Sequence, residues 1–128
     1  MRVLIADDDR VHVCLVSGRL KAMGYDVVAA FDAMQAWMAV LRSAPDAILL
    51  DINMPAGTGM EVLRRLKTST RTNLIPVVVV SGSIDPRAGG EVQNLGAVAF
   101  LPKPVDFDEL DRTLRRLLGS PSLAAKPA

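Results

Sequence analysis

Five short apolar runs, at residues 3–6, 27–30, 47–50, 77–80 and 97–101, punctuate the sequence at helix-length intervals. They are continuous rather than alternating, and branched side chains dominate several of them, as expected of strands covered on both faces of a parallel sheet. The chain therefore reads as β-α repeated five times, an open α/β sheet with right-handed crossovers. The predicted helix starts agree. Asp32 with Gln35, Thr58 with Glu61 and Asp106 with Glu109 each set a capping side chain three residues ahead of a partner able to reach back to the cap's amide. Asp85 before Pro86 supplies another cap with proline at the first helical position. In the first helix Leu15, Val16, Leu20 and Met23 fall on one side and Gly24 ends it; in the last, Leu110, Leu114, Leu117 and Leu118 form the stripe. The helix over 87–94 is the weakest, because Gly89 and Gly90 each cost ~1 kcal/mol relative to alanine.

At 128 residues the chain has room for one core, expected over 1–118. From Gly119 onward Ser, Pro and Ala without apolar periodicity predict a flexible tail or linker over 119–128. No apolar stretch approaches the ~20 residues of a membrane-spanning helix, and the run after Arg2 breaks at Asp7, too early for a secretory signal. Cys14 is the single cysteine, so no intrachain disulfide forms; it reads as a small half-buried hydrophobe in a reducing, cytoplasmic setting. Fifteen basic against fourteen acidic residues give a net charge of +1, with no electrostatic hold on nucleic acid or membrane. The basic groups at Arg64, Arg65, Lys67 and Arg71, and at Arg112, Arg115 and Arg116, read as solvated helix faces. His12 has no second histidine to form a zinc site and reads as a helix surface residue.

Polar residues with chemical potential stand where the predicted strands end. Asp7, Asp8 and Asp9 follow the first, Asp51 the third, Ser81 the fourth and Lys103 the fifth. In an open α/β sheet those ends share one edge, the edge at which such sheets bind ligands. Clustered carboxylates repel, and a hard divalent cation with oxygen ligands, in the manner of Mg²⁺, neutralises them. Lys103 adds a compact positive charge and Ser81 a hydroxyl donor for an incoming phosphoryl oxygen. Asp51 is the best nucleophile, because it ends the buried run Ile48-Leu49-Leu50 and a carboxylate can form an acyl phosphate. Singly, each residue has a plain alternative as a cap, a turn or a solvated loop. Jointly, those alternatives require an accident after successive strands.

Across 2–118 the sequence resembles the receiver domains of bacterial response regulators, the phosphorylation switches of two-component signalling, and is chemotaxis-regulator-like. The resemblance lies in Val3-Leu4-Ile5-Ala6-Asp7-Asp8-Asp9, in Asp51-Ile52-Asn53-Met54-Pro55 followed by Gly59, in residues 77–80 followed by Ser81-Gly82, and in Gly96-Ala97 leading through Phe100 to Lys103-Pro104. It implies a flavodoxin-like, doubly wound (βα)5 parallel sheet in the order 2-1-3-4-5. It implies further that Asp8 and Asp51 ligate Mg²⁺, with Asp7 assisting through water and the carbonyl of Asn53 completing the set. Asp51 would take a phosphoryl group from a histidine kinase or a histidine phosphotransfer protein, and Ser81 and Lys103 would grip its oxygens. The family's Lys-Pro bond is usually cis, which makes Lys103-Pro104 a candidate for that isomer, turning the lysine inward. Ser81 and Phe100 would form the switch. The surface of the helix over 87–94, the fifth strand and the last helix would meet a downstream protein or a second copy, with no direct contact to nucleic acid or membrane. Departures are mild: Thr58 stands where the family often has an acid, Ser81 replaces the commoner threonine, and Phe100 sits where many members carry tyrosine or histidine.

Two other classes compete. In a haloacid dehalogenase-like phosphatase Asp7 would be the nucleophile and Asp9 the acid, but that architecture normally needs a longer chain and a late acidic residue after a strand. A degenerate receiver acting only as a binding module is opposed by the intact Asp8, Asp51, Ser81 and Lys103. Trp37 and Tyr25 are too few and too separated for nucleotide stacking, and no glycine-rich phosphate loop follows the first strand. The expected product is a signalling switch rather than an enzyme.

Overall fold

The apolar runs form five parallel strands: β1 (Arg2–Ala6), β2 (Asp26–Ala30), β3 (Ala47–Leu50), β4 (Val77–Ser81) and β5 (Ala99–Pro102). They make one sheet in the order β2-β1-β3-β4-β5, the doubly wound order expected. The computed structural model describes residues 1–52, 54, 59–82 and 96–119. Among these, four helices pack on the sheet: α1 (Arg10–Ala22), α2 (Ala33–Ser43), α3 (Gly59–Thr68) and α4 (Phe107–Leu118). No helix of the described residues is long and apolar enough to cross a membrane. The expected helix over 87–94, the caps at Thr58 and Asp85, and the tail from Ser120 lie outside the described residues.

Continuity of the apolar runs follows from burial on two faces. Leu4, Ala6, Ile48, Leu50, Val77 and Val79 point to one side, where Ala36 and Val40 of α2 and Val62, Leu63 and Leu66 of α3 cover them. Val3, Ile5, Ala47, Leu49, Val78 and Val80 point to the other, beneath Val13, Val16 and Leu20 of α1 and Leu110 and Leu114 of α4. Side chains alternate along a strand, so two apolar layers demand an unbroken run. Each fully buried Val, Leu or Ile among them contributes roughly 1.5–3 kcal/mol.

Local signals hold with some displacement. Asp9 caps α1, accepting from the amides of Val11 and His12, and Gly24 follows the helix with φ +97°. Asp32 accepts from the Gln35 amide at 2.7 Å, but Gln35 reaches back to the Phe31 amide, one residue before the cap. In α1 the buried positions are Val13, Val16 and Leu20, whereas Leu15 is 60% exposed, because the face toward the sheet starts at Val13. Cys14, beside Leu15, is exposed rather than half-buried. β5 begins two residues later than its apolar run, after Gly96 turns the chain with φ +103°. Arg64, Arg65, Arg71, Arg112, Arg115 and Arg116 are exposed as expected. Lys67 differs: its Nζ donates to the carbonyls of Asn73 and Ile75 at 3.1 and 2.7 Å, and burial pushes its pKa down.

Tyr25 is 3% exposed, and its hydroxyl has no hydrogen-bond partner among the described residues. Burial pushes its pKa up, against Arg115 and with Asp111. Its ionisation therefore leaves stability untouched below the ordinary tyrosine value, ~10, and lowers it as pH rises from there through the higher folded value. Tyr25→Phe removes a desolvated hydroxyl and is expected to raise stability at neutral pH by about 1 kcal/mol, and to weaken the alkaline decline. Urea melts at neutral and alkaline pH check this; a Tyr25→Phe protein less stable than its parent would show that the hydroxyl is bonded after all.

Candidate functional site

Parallel pairing carries Asp7 and Asp51 to one edge. The Asp7 amide donates to the Ala30 carbonyl at 3.0 Å and the Asp51 amide to the Ala6 carbonyl at 2.9 Å, so each extends its strand's ladder by one residue. Asp7 is 2% and Asp51 5% exposed, while Asp8 faces solvent. Asp7, Asp8 and Asp51 each offer a carboxylate oxygen within 4.8 Å of the others. From the far side of the sheet Lys103 places Nζ 2.7 Å from Asp7 Oδ2 and 3.1 Å from Asp51 Oδ2. Its backbone is fixed by its amide donating to the Ser81 carbonyl at 3.0 Å, and the Lys103-Pro104 bond is cis. Ser81, fully buried, closes β4 beside it. The expected convergence of Asp7, Asp8, Asp51 and Lys103 is thus met; Asn53 lies outside the described residues. Phe100, half-buried in β5, packs against the apolar layer under α2 and α3.

Electrostatics bind the cluster. Burial pushes the Asp7 pKa up, but the His12 ring, Lys103 and the Asp9 amide outweigh it and hold the carboxyl well below the usual range. Burial pulls the Lys103 pKa down, and its contacts to Asp7 and Asp51 more than reverse that. Three carboxylates face one ammonium, so negative charge is left in surplus. An all-oxygen donor set of this kind fits a hard divalent cation.

His12 was not foreseen. It is half-buried rather than on the surface, and its Nδ1 lies 2.9 Å from Asp7 Oδ2. The angle there falls short of a formed hydrogen bond, and among the described residues neither ring nitrogen has another partner. With Asp7, Asp51, Val80 and Leu110 it lines a cavity of about 10 Å³ beneath the cluster. Its sequence signal is position: three residues after the cap Asp9, it stands on the first turn of α1 beside the strand end. Arg10, the first residue of α1, stacks on Phe31 with its guanidinium carbon 4.1 Å from the ring centre.

Gly59, at the start of α3, packs directly on the exit of β3. A Cβ there would collide with the Asp51 carbonyl oxygen and with Ile52 Cα, both backbone atoms. Neither can yield without moving Asp51. Gly59→Ala is expected to cost roughly 1–3 kcal/mol of stability, the range of overpacked sites. It should also weaken divalent-cation binding; a thermal melt and a Mg²⁺ titration indistinguishable from the parent would contradict the close packing.

A doubly wound α/β domain with carboxylates and a lysine converging at its carboxyl edge belongs to the class that handles a charged ligand at that edge. The family model described as the response regulator receiver domain matches residues 3–115. Response regulator PleD of Caulobacter vibrioides is 41% identical over 118 residues, covering 91% of this chain and 26% of PleD. Response regulator MprA of Mycobacterium leprae is 37% identical over 118 residues, 92% of this chain and 51% of MprA. Chemotaxis protein CheY4 of Vibrio cholerae superposes with a TM-score of 0.85 at 30% identity, over 91% of this chain and 98% of that one. The receiver domain of sensor histidine kinase PA1611 of Pseudomonas aeruginosa, solved with a magnesium ion coordinated in its active site cleft, gives 0.84 at 26% identity, over 93% and 98%. The chain belongs to the response regulator receiver domain family. It spans only about a quarter to a half of the length of these curated relatives.

Proposed function

We propose that this receiver domain takes a phosphoryl group onto Asp51 from the phosphohistidine of a histidine kinase or phosphotransfer protein, with Mg²⁺ held by Asp8, Asp51 and the Asn53 carbonyl. Asp7 assists through water. Lys103 is the chief support: it bridges Asp7 and Asp51 through their Oδ2 atoms, where an anion delivered to Asp51 meets a positive charge already in place. Bound Mg²⁺ supplies charge neutralisation for the carboxylates and the incoming phosphoryl oxygens. An Asp51 carboxylate oxygen attacks phosphorus, the P–N bond to the donor imidazole breaks, and the imidazole nitrogen keeps the bonding pair and takes a proton. Ser81 and Lys103 then hold the phosphoryl oxygens. The dehalogenase-like alternative is not favoured, since the receiver-domain model matches residues 3–115.

The output is a switch rather than turnover of a separate substrate. A phosphoryl oxygen offers the Ser81 hydroxyl a charge-assisted hydrogen bond, and movement of Ser81 opens room for the Phe100 ring. The surface of residues 87–94, β5 and α4 then changes its fit to a downstream protein or a second copy, in the cytoplasm and without direct contact to nucleic acid. Acetyl phosphate with Mg²⁺ is expected to add one phosphoryl group, seen by intact mass and absent in EDTA. Failure to label, or labelling indifferent to EDTA, overturns this function.

A further inference from the structure

Two donors share one oxygen of Asp7. Lys103 Nζ lies 2.7 Å and His12 Nδ1 2.9 Å from Asp7 Oδ2, while Asp7 Oδ1 accepts the Asp9 amide at 2.9 Å. The Asp9 carboxylate in turn accepts the His12 amide at 3.1 Å, so the backbone of His12 is anchored to the same loop that orients Asp7. Ionised carboxylates only accept, so the ring nitrogen facing Asp7 serves by donating. The contact is short but misaligned while Lys103 occupies that oxygen.

From this geometry, and resting on the phosphoacceptor function proposed above, we infer that His12 is a positioning residue: it takes over Asp7 Oδ2 when Lys103 leaves for the phosphoryl group. Asp7 is 2% exposed, so apart from the water that links it to the cation, solvent has little access to replace the departing ammonium. A buried acceptor left without a donor is costly, more so when charged. His12 is already at bonding distance, and release of Lys103 removes the competitor for that oxygen's lone pairs. The Asp7 carboxylate then keeps its orientation, and with it the water-mediated support it gives to the cation. A merely space-filling role for His12 would require no donor at this position.

The test is Mg²⁺ affinity, measured by calorimetry with and without saturating beryllofluoride as the phosphoryl mimic, on the parent, His12→Leu and His12→Asn. His12→Leu is expected to bind Mg²⁺ about tenfold more weakly than the parent with beryllofluoride, the scale of one hydrogen bond to a charged group, and within about twofold without it. His12→Asn, which keeps a donor near Nδ1, is expected to recover most of that loss. Equal affinities of parent and His12→Leu in beryllofluoride, or an equal loss in His12→Asn, overturn the inference. If His12→Leu is misfolded by circular dichroism, His12→Ala carries the same comparison. A parent that binds neither Mg²⁺ nor beryllofluoride overturns the phosphoacceptor function itself, an outcome distinct from a parent that binds both and a His12→Leu protein that binds equally well.

Discussion

Asp51→Asn is expected to stay unlabelled under conditions in which the parent, given acetyl phosphate or phosphoramidate with Mg²⁺, gains one phosphoryl group. The loss should exceed about a thousandfold, as removal of a nucleophile usually does. The carboxamide matches the carboxylate in shape, so the ladder bond from the Asp51 amide to the Ala6 carbonyl should persist. Folding should not suffer, because one of three clustered carboxylates is removed and their mutual repulsion falls. A correctly folded, unlabelled protein therefore isolates the chemistry from the fold. Asp7→Asn provides the contrast: it should label more slowly yet still label, whereas a dehalogenase-like site would lose labelling through Asp7. Unchanged labelling of Asp51→Asn on intact-mass analysis would mean that the acceptor lies elsewhere.

Lys103→Met separates catalysis from switching. Its ammonium is the only cation among the described residues placed against both Asp7 and Asp51 by ion-pair distance. Removing it should slow labelling about a hundredfold, the usual scale for one electrostatic donor at a developing charge. In EDTA the variant should also lose roughly 1–3 kcal/mol of stability, because the buried Asp7 and Asp51 carboxylates then face each other without the ammonium between them. Mg²⁺ should stabilise the variant more than it stabilises the parent, since the cation then supplies the missing positive charge. With beryllofluoride, amide exchange around Phe100 and along α4 should change in the parent and stay flat in Lys103→Met, because the lysine ties the phosphoryl group to β5. Parental labelling kinetics in Lys103→Met would sink this role. Exchange changes confined to the metal pocket in the parent would leave phosphorylation standing and remove the Ser81–Phe100 switch.

The sequence by itself determined the architecture and which polar residues stand together at the strand ends. Unbroken apolar runs at 3–6, 47–50 and 77–80, too short for helices and rich in branched residues, read as strands that bury both faces, and parallel order then sends Asp7, Asp51, Ser81 and Lys103 to one edge. Caps at Asp32 and Asp106 and the terminator Gly24 were equally legible, because each is a local hydrogen-bonding or backbone requirement. What only the tertiary structure decided was orientation. Which side of α1 faces the sheet depends on how that helix is laid over β1 and β2, and a rotation from the expected face exchanges Leu15 for Val13. That same placement turns His12 from a surface residue into a neighbour of Asp7. The exposure of Cys14 follows from the same placement of α1, whereas the partner of Gln35 and the carbonyls that hold the half-buried Lys67 ammonium lie four to eight residues away and depend on loop geometry, about which helical or strand periodicity carries no information.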